Sequence, residues 1–191
     1  MLTSITPLGE RGRGNRWAVT MTAYAVGSML GGATTGLALG AVGATLPDLP
    51  VLLIAGLVCL AAAVADLGPW HLPGGHRQVD EDWLTRYRGW VYGAGFGYQL
   101  GLGVVTVVTS AATYVVLVLA LLTGSPWAGL ALGAVFGLAR AAPALLIARA
   151  DTHDEIRTMA AGLVRRDRFA ARSTAGALAL GGAVLLAGSA L

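Results

Sequence analysis

Between Gly89 and Ala148 the chain runs for sixty residues with one charge, Arg140, and no Asp, Glu or Lys. A helix of about 20 apolar residues is enough to cross the hydrocarbon core of a bilayer. The uncharged run ahead of the Ser125-Pro126 turn exceeds that length, so it holds either two short spans or one broken span. Gly89, Gly93, Gly95, Gly97, Gly101 and Gly103 crowd its first part, and Thr106, Thr109, Ser110, Thr113 and Tyr114 form a polar patch behind them. A plain anchor is a run of Leu, Ile and Val. This stretch is suited instead to close helix packing and to bending.

The rest of the composition agrees with a membrane protein. With 55% hydrophobic residues, 12% charged residues and a mean hydropathy of +0.68, the chain is not an ordinary soluble domain. Its 28 glycines suit helices that associate by close backbone approach. The net charge of +3 comes from arginine alone, without a single lysine. These arginines gather in three polar segments, which points to positive-inside topology and not to nucleic-acid binding. Cys59 is the only cysteine, which excludes an internal disulfide and a dithiol relay. The opening residues 1–16 carry Arg11, Arg13 and Arg16 and no apolar core, so they read as a cytoplasmic N-terminal tail and not as a cleavable signal peptide.

The predicted fold is all-α, a polytopic integral membrane protein with about five spans, in a range of four to six. A single membrane domain covers 17–191, with spans near 17–46, 51–66, 89–123 (broken or double), 127–148 and 173–191. The first is long enough to tilt or to break near its glycine-threonine patch. The polar loops are 67–88 and 149–172. In the first, Asp80-Glu81-Asp82 opens a short helix that carries Trp83, Leu84, Tyr87 and Trp90 to the interface. In the second, Thr152-His153-Asp154-Glu155 has the capping-box pattern and starts a surface helix with Ile156, Met159, Ala160 and Leu163 on one face. Arginines in the tail and both loops place all three on the cytoplasmic side of an inner (plasma) membrane.

Two segments align as a weak internal repeat: Gly27-Ser28-Met29-Leu30-Gly31 and Gly97-Tyr98-Gln99-Leu100-Gly101, each followed by threonines and a proline-containing turn. Two related halves with broken glycine-rich helices would be the architecture of a transporter, and chance in a chain so rich in Gly, Ala and Leu is the competing account. Gly97-x-x-Leu100-Gly101-x-Gly103, the run Gly129 to Gly137, and Leu138 through Leu146 with Pro143 resemble the membrane domain of the CcdA and DsbD thiol transporters, in the LysE-type superfamily. The likeness covers about a third of the chain. That family carries a Pro-Cys motif in each half, whereas the matching regions here read Gly32-Ala33-Thr34-Thr35 and Val104-Val105-Thr106-Val107. The resemblance therefore implies an architecture and not thiol-electron transfer.

Among individual residues Arg140 is the most informative, because an arginine at a span centre costs roughly 2.5–3.5 kcal/mol on insertion scales and normally faces a cavity or a partner. Snorkelling to the interface, helped by Pro143, is the alternative. Gln99, Thr106, Thr109, Ser110, Thr34 and Thr35 would line a polar pathway with it, or would bond between helices and to their own helix carbonyls. Arg165, Arg166 and Arg168 are candidates for a cytoplasmic partner or anionic lipid. His71 and His76 near Asp80–Asp82 read as a solvated loop, not a metal site. Cys59 reads as a buried small hydrophobe. The Gly36/Gly40 spacing fits a helix-packing motif but, amid so many glycines, marks no particular interface. No catalytic constellation, metal site or cofactor-binding motif is present in the sequence, so an enzyme is not expected. The leading expectation is a transporter of a small solute or ion; the alternative is a non-transporting scaffold subunit of a larger membrane complex. The expected partners are the lipid bilayer and either a second copy or other membrane subunits, with no nucleic acid.

Overall fold

A computed structural model describes residues 7–68, 83–103, 105, 108, 110–147 and 153–189. Among these the regular structure is entirely helical: α1 (Pro7–Gly12), α2 (Trp17–Gly43), α3 (Val51–Leu67), α4 (Trp83–Arg86), α5 (Gly89–Gly101), α6 (Ala112–Leu122), α7 (Pro126–Ile147) and α8 (His153–Ser189). α2 is the axis of the molecule, gripped on one side by α5 and on the other by α7.

Glycine makes that grip possible. On one flank of α2, a side chain at Gly27 or Gly31 would run into the backbone of Ala94 or Tyr98, and one at Gly97 or Gly101 into Tyr24 or Ser28. On the other flank Gly32 and Gly36 face Gly133 and Gly129, and each would overlap the other's carbonyl if it carried a Cβ. The pairing order makes α5 parallel and α7 antiparallel to α2. Helices this close gain dispersion and Cα–H···O contacts along their whole length, which is the main attraction open to apolar helices in lipid. The two segments that align as a repeat are thus partners in one interface, where reciprocal close approach demands the same residue at the same spacing.

The remaining helices pack more loosely. α8 runs antiparallel to α3, with Gly182 against Gly56, Cys59 and Leu60. Cys59, Ala62, Ala111 and Val115 form a small core between α3 and α6, joined by Leu178 and Leu185 of α8. Outside these seams the surface is apolar: Trp127, Leu180, Val184 and Val135 are all at least 65% exposed. Water would not tolerate that surface, and lipid would.

Among the described residues three helices are long and apolar enough to cross a membrane: Trp17–Gly43, Pro126–Ala144 and Ala171–Ser189. The sequence led to an expectation of about five. The difference lies in α3 and in the run 89–123, where the apolar helices are the shorter Val51–Leu67 and Ala112–Leu122. That run is divided at Gly103, whose φ of +79° is the left-handed conformation that glycine takes without steric cost. α2, by contrast, is unbroken through Thr34 and Thr35, and α7 continues past Pro143. The segments read as a polar loop (149–172) and a last span (173–191) are joined between His153 and Ser189 in one continuous helix of 37 residues.

Candidate functional site

The opening segment, polar in sequence, contributes a helix to the bundle. α1 brings Glu10 to a position with no solvent exposure against the first turns of α2 and α5. A buried carboxylate needs partners, and three side chains supply them. Thr20 donates to Glu10 Oε2 at 2.8 Å, the Tyr92 hydroxyl donates to Oε1, and Arg13 pairs with Oε1 at 2.6 Å. Asn15 Nδ2 donates to the Tyr92 oxygen at 3.3 Å. Gly89 is wedged here, because a side chain would strike Thr20, Asn15 and Glu10. Burial works against the charge of Arg13, but hydrogen bonds with Glu10 and Tyr92 outweigh it, so the guanidinium pKa is raised. Phe96 stacks on Trp83, lies tilted against Tyr92 and extends the cluster. Glu10 and Tyr92 lie 82 residues apart in sequence, and no local pattern announces the pair.

A second polar cluster sits where α5 gives way to α6. Asp66, in the last turn of α3, accepts from Ser110 Oγ at 2.8 Å and from the Ala111 backbone N–H at 2.6 Å. Ser110 Oγ accepts in turn from Ala112 N–H at 3.1 Å. The carboxylate therefore caps the positive end of α6 from a neighbouring helix. Among the sequence candidates, this places Ser110 in a cap. Thr106 and Thr109 lie outside the described residues, as do His71, His76 and the acidic run 80–82.

The other candidates are dispersed. Thr34 Oγ1 donates to Leu30 O at 2.7 Å, and Thr35 Oγ1 lies within reach of Gly31 O at 3.2 Å and Leu102 O at 3.3 Å. The second Thr35 partner is a carbonyl freed by the end of α5. Gln99 is half-buried on α5. Arg140 is half-buried on α7, its guanidinium 5.5 Å from the Phe136 ring centre, a cation–π distance, and its charge acts on Tyr24 of α2. Arg165, Arg166 and Arg168 fall on the N-terminal half of α8. Cys59 is buried in the α3–α6 core. Ser28, part of the internal repeat but not among the site candidates, donates to Gly137 O at 2.6 Å from a fully buried position, where α2 meets α5 and α7. Trp17 Nε1 and Tyr114 OH are buried without a hydrogen-bond partner among the described residues. No group of three or more His, Cys, Asp or Glu among the described residues is arranged to hold a metal.

Comparison with known proteins gives one consistent relative. The chain is 35% identical over 150 residues to the methylamine utilization protein MauF of Methylophilus methylotrophus, an overlap of 74% of this chain and 53% of that protein. It is 33% identical to MauF of Paracoccus versutus and 32% identical to that of Paracoccus denitrificans, over 74% of this chain in each case and 56% and 54% of the relatives. The chain spans about half the length of these curated relatives. No protein-family model and no solved structure matches it. These findings correct the resemblance to the CcdA and DsbD thiol transporters and the LysE-type superfamily, which rested on glycine, leucine and proline spacings in a third of the chain. Such spacings are the common grammar of tightly packed membrane helices. The transporter reading built on that resemblance is overturned with it, and the scaffold alternative fits the relatives better.

Proposed function

We propose that the chain is a membrane-embedded accessory protein of methylamine utilization, one that supports partner proteins and neither transports a solute nor catalyses a reaction. The similarity to three methylamine utilization proteins over three-quarters of the chain carries this reading. Geometry supports it in a second way. Hydroxyls that would have to face a solute, on Ser28, Thr34, Thr35 and Ser110, are committed to protein acceptors. The glycine seams leave backbone against backbone where a pathway would need room.

In this reading α3 and the α5–α6 pair add two shorter crossings to the three long helices, and the chain sits in the inner membrane with its first residues on the cytoplasmic side. Its partners are the lipid around it and other membrane or periplasmic subunits, or a second copy. Arg165, Arg166 and Arg168 serve as the cytoplasmic docking group, and Arg140 secures α7 to α2 beside Tyr24. The test is a deletion strain of a methylamine-utilizing host, grown on methylamine and on an unrelated carbon source. We expect growth to fail on methylamine alone and to return with the intact gene. Extraction in mild detergent should yield a stoichiometric second subunit that is lost on joint replacement of Arg165, Arg166 and Arg168 by alanine. Normal growth of the deletion strain on methylamine would overturn the proposal.

A further inference from the structure

We propose that the shared entrance of α2 and α5 is a binding pocket for a phosphate group. The fold brings Arg16 and Arg88, 72 residues apart in sequence, onto one concave pocket lined also by Gly14, Asn15, Thr20 and Trp90. Both arginines are exposed, and neither makes an ion pair among the described residues. Among the described residues no carboxylate lines the pocket. Among the described residues, the acid that borders it, Glu10, lies behind Gly89 without solvent exposure and is already paired with Arg13. Two like charges held on one concavity repel each other, and an anion between them relieves that repulsion. The guanidinium group matches the geometry of phosphate oxygens and binds them by paired, charge-assisted hydrogen bonds.

The backbone adds to the same field. Arg16 and Arg88 are the residues immediately before α2 and α5, each in an extended conformation and each without a side-chain cap. Carbonyls of Arg16 and Arg88 take up the amides of Val19 and Val91, which leaves Trp17, Ala18, Gly89 and Trp90 as the first amides of two parallel helices. The positive ends of both helices therefore point the same way beside the two arginines. Trp90, 55% exposed at the pocket edge, is a side chain suited to the headgroup level of a bilayer. A phosphodiester of an anionic lipid and a free phosphate compound share this chemistry. The lipid source rests on the membrane placement proposed above; the pocket itself does not.

The test uses the full chain, delipidated in mild detergent and titrated by native mass spectrometry with phosphatidylglycerol and, separately, with inorganic phosphate. We expect saturable binding, weakened about tenfold in the Arg16→Gln/Arg88→Gln variant, equivalent to ~1.4 kcal/mol. The control is Arg11→Gln/Arg172→Gln, which removes the same charge from exposed positions outside the pocket and should leave affinity within about twofold. Should the pocket double variant fail to fold by circular dichroism, the two single variants carry the comparison, each expected to weaken binding about threefold. Saturable binding of phosphatidylglycerol alone assigns a lipid headgroup; saturable binding of inorganic phosphate assigns a free phosphate compound. No saturable binding of either probe, or equal losses in the pocket and control variants, would overturn the proposal. Neither result depends on growth on methylamine, so this inference and the accessory role fail separately.

Discussion

Gly133 and Gly181 are the same residue type on two apolar helices, and they have opposite consequences. A side chain at Gly133 would enter the backbone of Gly32, whereas one at Gly181 meets nothing within 4 Å. Gly133→Val should therefore force α7 away from α2 and cost at least ~3 kcal/mol, the upper part of the overpacking range. That corresponds to a fall of roughly 6–12 °C in melting temperature for a chain of this size. Gly181→Ala should stabilise α8 by about 0.5–1 kcal/mol, because alanine is the better helix former and no contact opposes it. Thermal melts of both variants in one detergent check the pair, and equal effects would refute the assignment of the seam. Glu10 gives a second contrast. Glu10→Ala removes the acceptor for the Thr20 and Tyr92 hydroxyls, and leaving buried donors unsatisfied costs about 1–3 kcal/mol. Glu10→Gln keeps an acceptor and should lose less, and the order of the two melting temperatures reports on it.

At the scale of elements the break between α5 and α6 has a cause and a remedy. Gly103 turns the chain in the left-handed region, and Asp66 reaches from α3 to cap what resumes as α6. Asp66→Ala should unravel the first turn of α6 at about 0.5–2 kcal/mol, the usual cost of a lost cap, and Asp66→Asn should recover part of it. Amide exchange at Ala111 and Ala112 is the measurement, and unchanged protection in the alanine variant would deny Asp66 this role. A break somewhere in 89–123 was legible, because an apolar run too long for one span and dense with glycine has few alternatives. The Asp66 cap was not legible, since it comes from a helix 44 residues earlier and looks in sequence like the end of a span. The Glu10 cluster was hidden for a similar reason: an isolated acid among arginines in a polar segment has every mark of a solvated residue. The glycine spacing was visible in the sequence, but its meaning was not. Gly36 and Gly40 look no different from Gly176 and Gly181 until the helices they face are known. Periodicity reports that a helix can approach another closely, and only tertiary placement says whether one is there.

The whole molecule divides by how its helices are joined. α2, α5 and α7 meet through backbone at several points along each seam, with Ser28 bonded across to Gly137 at their junction. α8 meets α3 at one close glycine approach, Gly182 to Gly56, and otherwise through side chains, and only 11% of its apolar stretch is buried, against 33% for α2. Local opening follows the density of buried contacts. In mild detergent, therefore, backbone amides of α2, α5 and α7 should exchange last and those of α3 and α8 first, with exchange rates separated by about 10–100-fold, the factor that 1.4–2.8 kcal/mol of extra local stability gives. Hydrogen exchange read by mass spectrometry makes the comparison on the isolated chain. If a partner subunit uses the exposed α8 face, protection of α8 should rise to the level of α2 in the complex while α2 itself changes little. Protection of α8 equal to that of α2 in the isolated monomer would contradict the division, because no described residue covers the outer face that Leu180 and Val184 present.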